Sequence, residues 1–260
     1  MKKNSLMLEK FKTILWFIKK PQYIAQIRQV LRRKNNEQKE NTLKEATQWC
    51  VDNVISQEDA LKKLGIEIKF KELQDLFQSE IKYAKEKMDN CPVKMGGEGA
   101  ISFLYYLTKE TKANKIIETG VAYGWSSLAI LLAIKNNKEA KLISNDMPYI
   151  KMNNDDYVAC VIPENLKENW VLQRLPDVKG IPKAIKALDG KIDLCHYDSD
   201  KSYTGRIFAY PLLWNALQKN GIFISDDIQD NIAFIEFCEQ VNKKPIVIEH
   251  LGKYVGLIKK

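Results

Sequence analysis

Long apolar runs, paired cysteines and histidines are what this 260-residue chain has little of. No apolar stretch approaches the roughly 20 residues of a membrane span, so no transmembrane helix is expected. Glu9, Lys10 and Lys12 interrupt the apolar patch behind Lys2 and Lys3, and no small-residue cleavage site follows, so no secretory signal is expected. Five cysteines, at 50, 91, 160, 195 and 238, are odd in number, widely spaced and free of C-x-x-C. That pattern argues against a disulfide framework or a structural zinc site and fits a reduced, cytoplasmic compartment. With only His196 and His250 present, a reactive constellation must lean on carboxylates, lysine or hydroxyls. Hydrophobic residues at 45% and charged residues at 28% are ordinary globular values, which excludes global disorder and collagen-like chains.

The net charge of +8 is unevenly spread. Residues 1–34 carry ten Lys or Arg against Glu9 alone, or +9, which leaves the other residues at about −1. So neutral a body argues against a nucleic-acid enzyme, whose basic footprint should surround its cleft. The basic segment reads as two short helices broken at Pro21. Phe11, Ile14, Leu15 and Ile18 share one face of the first, and Ile24, Ile27, Val30 and Leu31 one face of the second. Three uses compete for this arm: packing on the body or on a second subunit, peripheral contact with an anionic membrane, or a nucleic-acid patch. The spacing predicts three regions: a basic helical arm and polar linker at 1–41, a helical cap at 42–94, and a cofactor-binding domain at 95–260.

Gly96, Gly97 and Gly99 mark a flexible step. From Lys115 strand patterns alternate with helical ones, which predicts a mostly parallel sheet with helices on both faces. The last two strands, PIVIEHL and YVGLIKK, are separated only by Gly252 and Lys253, which predicts a hairpin and an antiparallel edge strand.

Two sets of residues fall at strand carboxyl ends, where open α/β sheets bind ligands. The first is Glu118-Thr119-Gly120-Val121-Ala122-Tyr123-Gly124-Trp125-Ser126-Ser127. Its E-x-G-x-x-x-G spacing lacks the three close glycines of a dinucleotide cradle. An acid at the strand end suits an amino group, and S-adenosylmethionine (SAM) carries an ammonium, a sulfonium and no phosphate. Asp146 ends the next strand, where a carboxylate can accept ribose hydroxyls. The second set is Asp198 and Lys201 after KIDLCHY, with Asp226 and Asp227 after GIFIS. Carboxylates converging there need a cation, and oxygen ligands favour Mg²⁺, Ca²⁺ or Mn²⁺. Lys201 beside such a cation would have a lowered pKa and could act as general base; the competing reading is that it only balances Asp198 and Asp200 as a surface ion pair and that Asp226-Asp227 is a turn. His196 reads as a residue packed in its strand.

These blocks, IIETGVAYGWSSLAILLAI, LISNDMP, KIDLCHYDSDKSY and GIFISDDIQDNIAFIEF above all, resemble class I SAM-dependent methyltransferases over roughly residues 95–240. The likeness is nearest to metal-dependent O-methyltransferases of small molecules and glycans. It implies a Rossmann-like fold with a mostly parallel seven-stranded sheet, and a sugar or small-molecule hydroxyl as acceptor. It also implies that Glu118, Gly120, Tyr123, Gly124 and Ser126 contact SAM, that Asp146 binds the ribose, and that Asp198, Asp226 and Asp227 hold the cation. Asp177 falls where many relatives place an adenine-side residue, although Pro176 replaces the usual glycine. Close tailoring relatives carry histidine at the position of Lys201, whereas catechol O-methyltransferase-like enzymes use D-x-x-K with lysine as base. The rival readings are an NAD-dependent oxidoreductase and a silent binding module docked through the arm. A homo-oligomer is compatible with either arm packing.

Overall fold

The computed structural model describes residues 13, 15–148, 152 and 154–260, without the side chains of 28, 30 and 34. Phe11 and Ile14 of the arm's first apolar face lie outside the described residues. Among the described residues, no helix is long and apolar enough to cross a membrane.

The longer helices are α1 (Ala25–Arg33), α2 (Leu43–Asn53), α3 (Gln57–Lys63), α4 (Gln78–Asp89), α5 (Ile101–Glu110), α6 (Trp125–Ile134), α7 (Asp177–Ala187), α8 (Tyr203–Ala216) and α9 (Ala233–Gln240). The strands are β1 (Val54–Ile55), β2 (Lys115–Thr119), β3 (Lys141–Asn145), β4 (Trp170–Gln173), β5 (Ile192–Tyr197), β6 (Leu217–Ser225), β7 (Ile246–His250) and β8 (Lys253–Lys259). They form one sheet in the order β1-β7-β8-β6-β5-β2-β3-β4. All pairings are parallel except those of β8, which runs antiparallel to both β6 and β7.

Two details go beyond the sequence pattern. The two-residue strand β1 pairs with β7 inside a stretch that reads as helical, adding an eighth strand. The antiparallel strand of the hairpin sits one place in, between β7 and β6, because β8 folds back past β7 to reach the free side of β6.

Burial on both faces of the sheet follows from strand alternation. Ile116, Leu142, Leu194, Ile222 and Leu257 point into one core, shared with α5 and α6. Their neighbours Ile117, Ile143, Cys195, Phe223 and Ile258 point into the other, shared with α7, α8 and α9. Helix α6 is apolar almost all round because it lies between the sheet and α5.

The arm breaks at Pro21, as its sequence predicts, with a 3-10 turn at Pro21–Tyr23 leading into α1. Helix α1 lies against α7 and α8. The expected polar linker is ordered: Glu37–Glu40 forms a short helix, and the Glu40 carboxylate accepts hydrogen bonds from the Tyr203 and Thr204 amides and the Thr204 hydroxyl. Glu40 thus satisfies first-turn donors of α8 that the helix itself leaves open.

Candidate active site

The chain reverses its direction of travel across the sheet between the neighbouring strands β2 and β5, and a cavity of about 850 Å³ opens at their carboxyl ends. The hydrogen-bond ladder runs one residue past each strand. Gly120 N donates to Asn145 O (2.8 Å), Asp146 N to Gln173 O (2.9 Å), Asp198 N to Thr119 O (2.8 Å) and Asp226 N to Tyr197 O (3.0 Å). Each of these four residues is the first after its strand, so backbone pairing alone sets them side by side on one rim, and all four line the cavity.

Gly120 is required at the crossing point. Its φ of +79° lies in the left-handed region, and a Cβ there would stand 2.3 Å from the Asp198 carbonyl oxygen. Gly124, with φ of +99°, precedes the first turn of α6, which has no side-chain cap among the described residues. Ser126 lines the cavity, and Tyr123 reaches it while its hydroxyl donates to Val93 O (2.8 Å).

Glu118 is placed differently from the other members of the turn. It is fully buried and is not part of the cavity wall. Its carboxylate accepts from Ser126 Oγ (2.6 Å), Ser144 Oγ (2.5 Å) and Ser127 Oγ, tying α6 and β3 to β2. Asp146 does face the cavity. Its Oδ1 accepts from the Val121 amide (3.0 Å) and its Oδ2 pairs with Arg174. Asp177 also reaches the wall, but its oxygens are engaged by Asn145 Nδ2 (2.9 Å) and Ser199 Oγ (2.6 Å). Burial pushes the Asp177 carboxyl up to about 7.

Beyond β5 and β6, each acid has its own cationic partner. His196 Nε2 lies 3.1 Å from Asp226 Oδ1, and its Nδ1 lies 3.8 Å from Glu118 Oε1. Burial works against an imidazolium there, but Asp226 and Glu118 outweigh it and hold His196 well above its usual value. Lys201 Nζ lies 3.1 Å from Asp198 Oδ1 and pairs with Asp227. Lys253 Nζ lies 3.3 Å from Asp227 Oδ1. Burial and Asp226 push Asp198 up to about 6, against the pull of Lys201.

The expectation of a lowered Lys201 pKa belongs to a site that holds a cation. Desolvation does depress the Lys201 ammonium, but Asp198 and Asp227 on either side outweigh it, and the pKa is raised. The two lysines in turn hold Asp227 below its usual value in spite of its burial.

The donor set has the chemistry of a hard-cation site: Asp198, Asp226 and Asp227 offer only oxygen. Asp198 Oδ1 is buried with no hydrogen-bond partner among the described residues, its contact with Lys201 being an ion pair outside hydrogen-bond geometry. Among the described residues, no three acidic, histidine or cysteine side chains are grouped as a ready metal cage. The carboxylates instead turn towards His196, Lys201 and Lys253.

The sequence pattern does not mark several of the wall residues. Gln26 and Arg33 come from α1, His250 and Lys253 from the final hairpin, and Met95 to Gly99 from the glycine step. Arg206 is fully buried beneath the site, and its guanidinium donates to the carbonyls of Asp226 (3.2 Å) and Asp227 (2.6 Å) and to Asn231 Oδ1 (3.3 Å). An arginine inside the apolar helix RIFAYPLLWNAL was the one available signal for it.

Residues 117–228 match a family model described as a methyltransferase domain. No curated protein matches the chain in sequence. Among solved structures, the chain is similar to the O-methyltransferase from Bacillus cereus in complex with SAH, at 12% identity and a TM-score of 0.53, covering 78% of this chain and 96% of that one. It is similar to TomG from Streptomyces achromogenes, an O-methyltransferase involved in tomaymycin synthesis, in complex with SAM (12% identity, TM-score 0.52, 74% and 92% covered). It is also similar to the SAH-bound methyltransferase PaMTH1 from Podospora anserina (14% identity, TM-score 0.52, 84% and 94% covered). Identities this low speak for the fold. Residues 117–228 thus match a methyltransferase domain, and the chain shares the fold of these SAM- and SAH-bound methyltransferases.

Proposed function

We propose that the protein transfers the SAM methyl group to a hydroxyl of a small molecule or sugar precursor, with a divalent cation, Mg²⁺ foremost, at the acidic rim. The observation that carries this reading is the alignment of Gly120, Asp146, Asp198 and Asp226 on adjacent strand ends around one cavity, with Lys201 beside them. Gly120 lets the cofactor approach the backbone closely. Asp146 exchanges Arg174 for the ribose hydroxyls. The uncapped amides at the start of α6 and Ser126 meet the methionine end. Glu118 acts from behind, fixing the turn through its three serines.

Asp198, Asp226 and Asp227 would hold the cation. Bound there, it would supply the positive charge that these carboxylates now draw from Lys201, Lys253 and His196, and would acidify a hydroxyl. Relieved of that hold, Lys201 could lose its proton to solvent and, neutral, take the acceptor's; the acceptor oxygen would then displace the methyl from the SAM sulfur, leaving S-adenosylhomocysteine. Holding both reactants in near-attack geometry supplies much of the rate.

The test is methyl transfer from labelled SAM to panels of sugar and catechol acceptors, with Mg²⁺ and with a chelator. Transfer that requires the cation supports the reading. Cation-independent transfer removes the metal role and leaves Asp198 and Lys201 as a proton relay. SAM binding without transfer to any acceptor favours the silent binding module, and NAD binding in place of SAM favours the oxidoreductase.

A further inference from the structure

We propose that the arm is a docking surface for an anionic membrane. Helix α1 is built inside out. Gln26, Gln29 and Arg33 lie on its inner stripe: Gln26 and Arg33 line the cavity, and Gln29 is only 5% exposed. Ile24, which is helical in backbone just ahead of α1, and Leu31 lie seven residues apart on the opposite stripe, at 50% and 60% exposed. In the helical residues before Pro21, Ile18 is 65% exposed and Leu15 38%. A surface helix ordinarily turns its apolar stripe to the core and its polar stripe to water. Here the polar stripe is used on the protein, and four large aliphatic side chains within 17 residues face outward.

Charge selects what covers them. Residues 1–34 carry +9 against a body near −1, and exposed Lys19 and Arg32 accompany the apolar residues. A second copy would bring the same +9 and be repelled. A nucleic acid would use the cations and leave the aliphatic side chains in water. An anionic bilayer surface takes both, burying apolar side chains at the headgroup boundary while the cations meet lipid phosphates. Since Gln26 and Arg33 belong to the cavity wall, docking would set α1 between the bilayer and the cavity. The docking surface stands independently of the methyl-transfer reading.

The test is co-sedimentation of the full chain with phosphatidylcholine vesicles, with and without phosphatidylglycerol, at low and high salt. Binding to the anionic vesicles that falls with salt is expected. The combined variant Ile18→Asp, Ile24→Asp and Leu31→Asp should bind at least about tenfold more weakly at unchanged melting temperature. The pair Lys19→Glu and Arg32→Glu leaves the apolar stripe intact and should also weaken binding about tenfold. The proposal is overturned if the wild-type chain stays in the supernatant with anionic vesicles, or if both variants sediment undiminished. A dimer that the aspartate variant dissociates would instead assign the face to a second copy and equally overturn it.

Discussion

At the rim, Gly120, Asp146, Asp198 and Asp226 are each the first residue past a buried parallel strand, and neighbouring backbones fix their positions. Along the arm, placement depends on side chains reaching far across the sequence: Lys20 to Asp155 (2.8 Å), Arg33 to Asp200 (2.8 Å) and the Tyr23 hydroxyl to the Arg174 carbonyl (3.3 Å). Both regions contribute walls to the same cavity. The rim is rigid because its positions are shared with the sheet. The arm is attached through partly exposed ion pairs, each worth about 0–1 kcal/mol. Buried Phe17, Tyr23 and Gln29 also hold the arm, so the cavity has one side set by backbone pairing and another set by side chains.

The largest effect should come from striking the rim. On the proposed reaction, Asp198→Ala lowers turnover about 10³-fold and Lys201→Ala about 10²-fold, with SAM affinity nearly unchanged, as steady-state kinetics and calorimetry would register. Equal turnover in Asp198→Ala would detach the acidic cluster from the chemistry.

Next comes the buried support of the rim. Arg206→Ala strips hydrogen bonds from the Asp226 and Asp227 carbonyls and should cost about 2–4 kcal/mol in denaturant unfolding. Gly120→Ala should follow at about 1–3 kcal/mol, with weakened SAM binding, from its positive φ and the Asp198 carbonyl behind it.

An effect of similar size should come from pH. Asp177 is pushed from the usual carboxylate value to about 7 in the folded protein, so the folded state holds the proton longer than the unfolded chain. Stability from this group therefore falls as pH rises from about 4 through 7, by up to about 4 kcal/mol. Asp177→Asn should flatten that part of the stability profile measured by thermal melts. An unchanged profile would show that the carboxyl titrates normally.

The smallest effect belongs to the arm. Arg33→Ala breaks a half-exposed ion pair with Asp200 and should change stability by less than about 1 kcal/mol. Its consequence should fall on the KM for the acceptor, since Arg33 lines the cavity. A large stability loss from this variant would mean that the arm is part of the core.

The rim was legible in the sequence because its signals are local: a glycine turn after one strand, acids after three others, and helices between them. What stayed hidden was set by distant partners. Nothing in KIDLCHYD announces that His196 faces both Asp226 and Glu118, and nothing in the final hairpin announces that Lys253 reaches Asp227. The place of Glu118 near a strand end suggests a cofactor contact, but the serines of α6 and β3 turn its carboxylate inward. For the arm, helical periodicity identified the apolar stripe, but periodicity does not tell which stripe the body will use. Gln26 and Arg33 face the cavity, Arg33 held there by Asp200, and Ile24 and Leu31 are left outside.

The most direct measurement is calorimetric titration of the purified chain with SAM, with and without Mg²⁺, and with NAD for comparison. Micromolar SAM binding and no NAD binding is the expected result. Absence of SAM binding in both conditions would contradict the reading of the rim as a cofactor site.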